Sequence, residues 1–271
     1  MKGVYTVKTL KKSIRLYFHF LSIQVKADMQ HKVSFFLTAL GQFLISFNVF
    51  LGVYFMMARF RTVNGFTYPE VLLCFSITLM AFTLAEMFFR GLDAFNVIIG
   101  NGEFDRILLR PESPVFLVIC SKIQLTRFSR LLQSAIMLIY GICAGSIDWT
   151  PSRVIAVVLM IAGGTVVFAA IYTIFAAICF FTLEGLEFMN VFTDGAREYG
   201  KYPVGVYGKT VLTVCTYLIP FALFQYYPFL YVTGHSERQW YRFLPLLACL
   251  FFVPAAYLWK FGLAHYQSTG S

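Results

Sequence analysis

The stretch GNGEFDRILLRPESPVF, residues 100–116, places two Glu, one Asp and two Arg between two long apolar runs, together with two Gly and two Pro. Asn101 is positioned to cap a short helix from Gly102 to Leu109, since its side chain can accept from the first free amides. On such a helix Phe104, Ile107 and Leu108 share one face at i, i+3, i+4 spacing. Glu103, Asp105, Arg106 and Arg110 populate the remainder, and Pro111 and Pro114 prevent simple continuation. A two-turn amphipathic helix in so apolar a chain serves equally as a docking element for a partner or as a solvated loop helix lying on a membrane.

Around it, 59% of the 271 residues are apolar and 13% are charged, against about 25% charged in a soluble domain. So few polar groups cannot cover a water-facing surface, which leaves lipid as the solvent. Several windows exceed the roughly 18–20 apolar residues that cross a bilayer core, and the alternation of roughly ten-residue barrel strands is absent. We therefore expect an all-α integral membrane protein built as one domain, 1–271. It has an N-terminal interfacial helix over 1–32, a six-span bundle over 33–259 and a tail over 260–271. The spans fall at about 33–58, 71–89, 128–147, 154–183, 211–227 and 243–259.

With the N-terminus inside, the inner segments 1–32, 90–127, 184–210 and 260–271 hold seven, five, three and one Lys or Arg; Arg130 raises the inner total to seventeen, against five outside. Positive charge collects on cytoplasmic loops, so both termini and residues 90–127 are expected there. Trp149, Trp240 and Trp259 lie at or near span ends, where an indole prefers the interface. Val7, Leu10, Ile14, Tyr17, Leu21 and Val25 form a helical stripe, with Lys8, Lys11, Lys12 and Arg15 around it. That pattern fits a basic amphipathic helix on the inner leaflet; a soluble tail is the plainer alternative. In the fifth apolar run, which contains Pro220, it is Pro228 and Gly234 that break the helix. Tyr226, Tyr227 and Pro228 mark either a re-entrant element or an ordinary aromatic loop, because irregular backbone at membrane depth must be buried in protein or face water.

Signals for catalysis are poor. No HExxH or metal-ligand spacing occurs, and the six Cys form no CxxC. PVGVYGKT, residues 203–210, ends like a phosphate-binding loop, but Pro203 stands where the first Gly is needed. Glu86 is the only acidic residue well inside an apolar run. It either pairs with Arg90 one turn later or, the simpler expectation, reaches the interface from a position near the span end. Arg127 and Arg130 read as basic residues at a span base.

GNGEFDRILLRP resembles the G-E-[LF]-D-x-[LI]-L-L-[RK]-P segment in permeases of the type-2 ATP-binding-cassette (ABC) exporter family, in particular an uncharacterised bacterial branch. Residues 199–234 resemble that branch's approach to the fifth span with its Y-Y-P, and WKFGLAHYQSTGS, residues 259–271, is similar to its C-terminal motif. The resemblance implies the type-2 ABC exporter permease architecture, with re-entrant outer helices before the sixth span. It implies that residues 102–111, and so Gly102, Glu103, Phe104, Asp105, Arg106, Ile107, Leu108, Arg110 and Pro111, form a cytoplasmic coupling helix whose apolar face enters a partner ATPase. It further implies a permease in the bacterial inner membrane, working with a cytoplasmic ABC ATPase dimer and a second permease subunit, a heterodimer before a homodimer. ATP and Mg are bound by the ATPase, with no cofactor in this chain. Lipid is a partner; nucleic acid is not. The rival classes are a polytopic scaffold, immunity or sensor protein without transport, and a membrane lipid enzyme.

Overall fold

The computed structural model describes residues 2–60, 62–182 and 190–268. Leu183, the expected end of the fourth span, lies outside the described residues, as do the side chains of Val7, Lys8, Leu10, Lys11 and Ile14 on the N-terminal stripe.

The architecture is built around one enclosed helix. Thr62–Val63 (β1) pairs antiparallel with Phe66–Thr67 (β2) across Asn64 and Gly65, both at positive φ. Asn-Gly suits this two-residue turn, which needs left-handed backbone at both positions. The Thr67 amide and hydroxyl then donate to Glu70 Oε2 at 2.7 and 2.8 Å, and Pro69 occupies the first turn. Helix α3, Tyr68–Asp93, starts here because these residues satisfy and pre-shape its first turn. It is buried along nearly its whole length. Helix α7, Phe128–Ala144, and helix α8, Pro151–Ile178, pack on either side of it. Small residues permit the close approach: a Cβ on Gly141 of α7 would lie 3.1 Å from the Leu73 Cβ, and one on Gly164 of α8 would lie 2.8 Å from the Ala81 Cβ. In lipid such contact is what holds helices together, because tails are as apolar as the side chains. Helix α14, Phe252–Ala264, also packs against α8.

Among the described residues four helical runs are long and apolar enough to cross a membrane: Arg15–Phe60, Tyr68–Gly100, Pro151–Ile178 and Gln239–Ala264. A fifth counts if the bent pair Lys209–Tyr217 and Phe221–Val232 is one span. Helix α7 has 17 residues, the lower limit for a crossing at about 1.5 Å per residue.

Two expected boundaries change. Helix α1, Lys2–Asp28, does not stop before helix α2, Lys32–Phe60: a single 3₁₀ turn, Met29–His31, joins them, with helical backbone at Asp28 and Lys32. The Arg15–Phe60 run has 46 residues, about twice the length that hydrocarbon of ~30 Å can hold. Part of it therefore lies along or beyond the surface. The described members of the stripe, Tyr17, Leu21 and Val25, are half-buried, and the Tyr17 ring meets Phe88 at 6.5 Å. The fifth run breaks earlier than Pro228. Helix α10, Lys209–Tyr217, meets helices α11, Phe221–Phe224, and α12, Tyr226–Val232, at 89°. Pro220 explains the position, since it lacks an amide and its ring obstructs a preceding helical turn. Pro228 sits in the first turn of α12, where proline is tolerated, and Tyr226 and Tyr227 precede it there. Buried Gln225 fixes the corner: its Nε2 donates to the Gly200 and Tyr202 carbonyls at 3.2 and 3.1 Å, and its Oε1 accepts the Val204 amide at 3.1 Å.

Candidate functional site at the base of α3

Helix α3 leads through helix α4, Phe95–Gly100, into helix α5, Glu103–Leu108. Asn101 ends α4 and does not cap α5; Gly102, at φ 67, occupies the cap. A left-handed residue is needed to turn one short helix into the next, and only glycine takes it without strain.

Phe104 overturns the expected orientation of α5. It is fully buried in this chain, so it does not face outward with Leu108. Its ring lies 5.0 Å from Phe95, 5.4 Å from Phe180 and 5.0 Å from Tyr266, all edge-on. Trp259, expected at an interface, is buried in the same cluster, 5.1 Å from Phe95. Edge-to-face contacts of this kind add to area burial because the ring edge is positive and the face negative. Asp105 fastens the tail: it accepts from the Tyr266 hydroxyl at 3.0 Å and the Ser268 hydroxyl at 2.6 Å. Burial, and then the Asp105 carboxylate, push the Tyr266 phenol up to about 12. Ile107 is half-buried, while Glu103, Arg106, Leu108, Arg110 and Pro111 are exposed. Leu109, which the face pattern passed over, is 86% exposed. Lys12 of α1 reaches Glu112 at 2.7 Å, which ties the N-terminal helix to the same segment.

Just above lies a charged node. Glu86 does not reach an interface: it is 3% exposed. Arg127 Nη2 meets its Oε1 at 2.7 Å and Arg130 Nη1 its Oε2 at 2.7 Å, while Arg90 stands 3.6 Å away. Arg90 pairs more closely with Asp93, at 2.7 Å. Gln42 Oε1 of α2 accepts from both Arg127 and, at 2.6 Å, Arg130. Arg127 and Arg130, read as basic residues at a span base, are in fact the principal partners of Glu86. The node joins α2, α3 and α7 at one level. A buried carboxylate is tolerable only with such neutralisation. Of the sequence-predicted pair, Glu86 and Arg90 do come together, but Arg90 is the weaker partner. The only advance signal for Gln42, Arg127 and Arg130 was that polar groups on three spans stood near the same end.

Among the described residues, nothing near this node assembles a nucleophile, base and acceptor site. The molecule is a bundle whose polar residues brace helices, with a short exposed element fixed at one end. The family comparison decides what kind of bundle: the ABC-2 family transporter protein family matches residues 43–270. The chain belongs to the ABC-2 transporter family. No curated protein and no solved structure matches it. As a member of this family it is a multi-pass membrane permease component of ABC transport, not itself catalytic, and membership implies association with an ABC ATPase.

Proposed function

We propose that this ABC-2 permease is the membrane-spanning subunit of an ATP-driven exporter in the bacterial inner membrane, with six spans and both termini cytoplasmic. Separate ATPase subunits bind ATP and Mg and press on residues 102–111. Their movement shifts a dimer of permeases, hetero- before homodimeric, between closed and releasing states. An amphipathic or hydrophobic cargo suits span faces rich in Phe, Tyr and Met at the permease–permease interface, and the element beyond the bend at Pro220, with Tyr226, Tyr227 and Pro228, re-enters from the outer side. The charge asymmetry of seventeen against five supports this orientation.

The observation that carries the reading is the division of labour on α5. Phe104 is locked into the permease, whereas Leu109 is exposed between Arg106 and Arg110. Fixing one side to the bundle lets force applied on the other reach α3 instead of bending a loop. The docking contact therefore passes from Phe104 and Ile107 to Leu108 and Leu109, with Glu103, Arg106 and Arg110 at the rim. Leu109→Ala is expected to weaken ATPase capture by about 2 kcal/mol, roughly 30-fold, as truncation of a central contact does. Arg106→Ala is expected to cost only about 0–1 kcal/mol as an exposed charge. Copurification of the ATPase with each variant measures this; wild-type capture by Leu109→Asp would reduce the segment to a surface loop. Orientation is tested separately. Single Cys residues near Thr62 and Ser152, in a background lacking the native Cys, are expected to react with an impermeant reagent on intact cells. Reaction only after lysis would invert the topology.

A further inference from the structure

Between α2, the start of α3 and α7 lies a half-open cleft of about 460 Å³, its rim formed by exposed Phe47, Tyr54, Ile136 and Tyr140, within the size range of small-molecule sites. Along α2 its wall is a ladder of rings at helical spacing, Phe43, Phe47, Phe50 and Tyr54, with neighbouring Phe rings 6.1 and 5.9 Å apart and stacked at 7° and 29°. Tyr68 closes one end, 5.8 Å from Tyr54 and 6.4 Å from Tyr140. Against this apolar wall stands Gln133 of α7, which is 5% exposed. Its Oε1 is buried without a hydrogen-bond partner, and its amide makes no hydrogen bond among the described residues. A primary amide enclosed by hydrocarbon and left unpaired is an unfavourable arrangement. Its neighbours on the same face behave otherwise: Arg130 is paired with Glu86, and the Ser134 hydroxyl donates to the Leu131 carbonyl at 2.8 Å.

We infer that this cleft is a binding site for a lipophilic molecule carrying one hydroxyl, seated along the aromatic ladder and hydrogen-bonded to the Gln133 amide. A hydroxyl fits because it accepts and donates at once: its oxygen takes an N–H of the Gln133 amide, and its hydrogen goes to the enclosed Oε1 once the side chain turns that atom toward the cleft. A plain hydrocarbon would fill the space and leave Gln133 unpaired; a charged head would be buried without a counter-charge. The shared chemistry belongs both to hydroxyl-bearing membrane lipids and to single-chain or ring molecules delivered from elsewhere. The site does not depend on the ATPase docking reading, since it involves neither α5 nor the node.

The test uses the purified full-length permease in nanodiscs and a fatty alcohol bearing a photoreactive diazirine. Labelling is expected on α2 and α7, displaced about tenfold more efficiently by 4-nonylphenol than by nonylbenzene, which differs only in the hydroxyl. In Gln133→Leu, of similar volume and free of the unpaired amide, labelling persists but that preference disappears. Ile136→Trp, at the exposed rim, fills the cleft and loses labelling while eluting and unfolding as the wild type does. Competition by 1,2-dioleoylglycerol identifies a membrane lipid as the source; competition by dodecanol alone confines the site to smaller molecules. Equal displacement by phenol and hydrocarbon in the wild type overturns the inference. So does a crosslink from Phe47 to a second permease chain in place of the probe, which would make the ladder a subunit interface.

Discussion

Phe104→Ala is expected to lower the stability of the folded permease by about 3–5 kcal/mol, the range for removing a large ring from a packed core. The residue is fully buried, and its ring is met by Phe95 of α4, Phe180 from the turn after α8, Trp259 of α14 and Tyr266 of the tail. No rearrangement of one neighbour can fill the space, because those rings are held by one another as well: Phe180 lies 5.1 Å from Trp259 and 5.8 Å from Tyr266. The unfolding midpoint in detergent should fall, and ATPase capture should fall in proportion to the folded fraction. Phe104→Leu, which restores part of the volume, should recover much of both. Wild-type stability combined with lost ATPase capture would return Phe104 to the interface. The contrast with Leu109→Ala matters here, since that variant should lose capture with no loss of stability.

Removing Glu86 should have a comparable effect for a different reason. Glu86→Ala leaves Arg127 and Arg130 facing each other without the carboxylate they share, and Arg130 is itself buried. Breaking one partner of a buried pair costs about 3–5 kcal/mol, chiefly from the uncompensated charge that remains. Glu86→Gln keeps a carbonyl acceptor but not the charge and should fall between. The diagnostic variant is Glu86→Leu with Arg130→Met, which removes opposite charges together. If the pair acts as a unit, the double variant should be more stable than the two single effects added would predict, measured as a double-mutant cycle on unfolding free energy. Strict additivity would mean that Glu86 is neutralised mainly by Arg127 or Arg90. Because α2, α3 and α7 meet in this node, loss of Glu86 should also loosen α2, and crosslinking between Cys residues placed on α2 and α7 would show it.

The resemblance of residues 100–111 and of the C-terminal motif to a permease family was legible early, and the family comparison agrees. The same reading turned Phe104 outward, whereas the structure encloses it. Periodicity states which side chains share a face; it does not state what covers that face. Phe104 and Leu108 belong to one apolar stripe, yet one is enclosed by rings from residues 95, 180, 259 and 266 and the other is open. Likewise a carboxylate one turn from the end of an apolar run had an inexpensive local solution, reaching water. The structure instead supplies partners 41 and 44 residues away, which no local spacing announces.

Composition by itself determined the solvent. With 13% charged residues no water-facing surface can be covered, and long apolar runs must be helical because lipid offers their backbone no hydrogen bonds. Local chemistry also determined the breaks: Asn64-Gly65 turns the hairpin, Thr67 with Glu70 starts α3, and Pro220 ends α10. Tertiary packing decided the rest. It turned Phe104 inward, drew Arg127 and Arg130 onto Glu86, and left Gln133 unpaired beside a cleft. In lipid nearly every face of these helices is apolar, so hydrophobicity cannot say which face meets protein; contact geometry and the pairing of buried polar groups do.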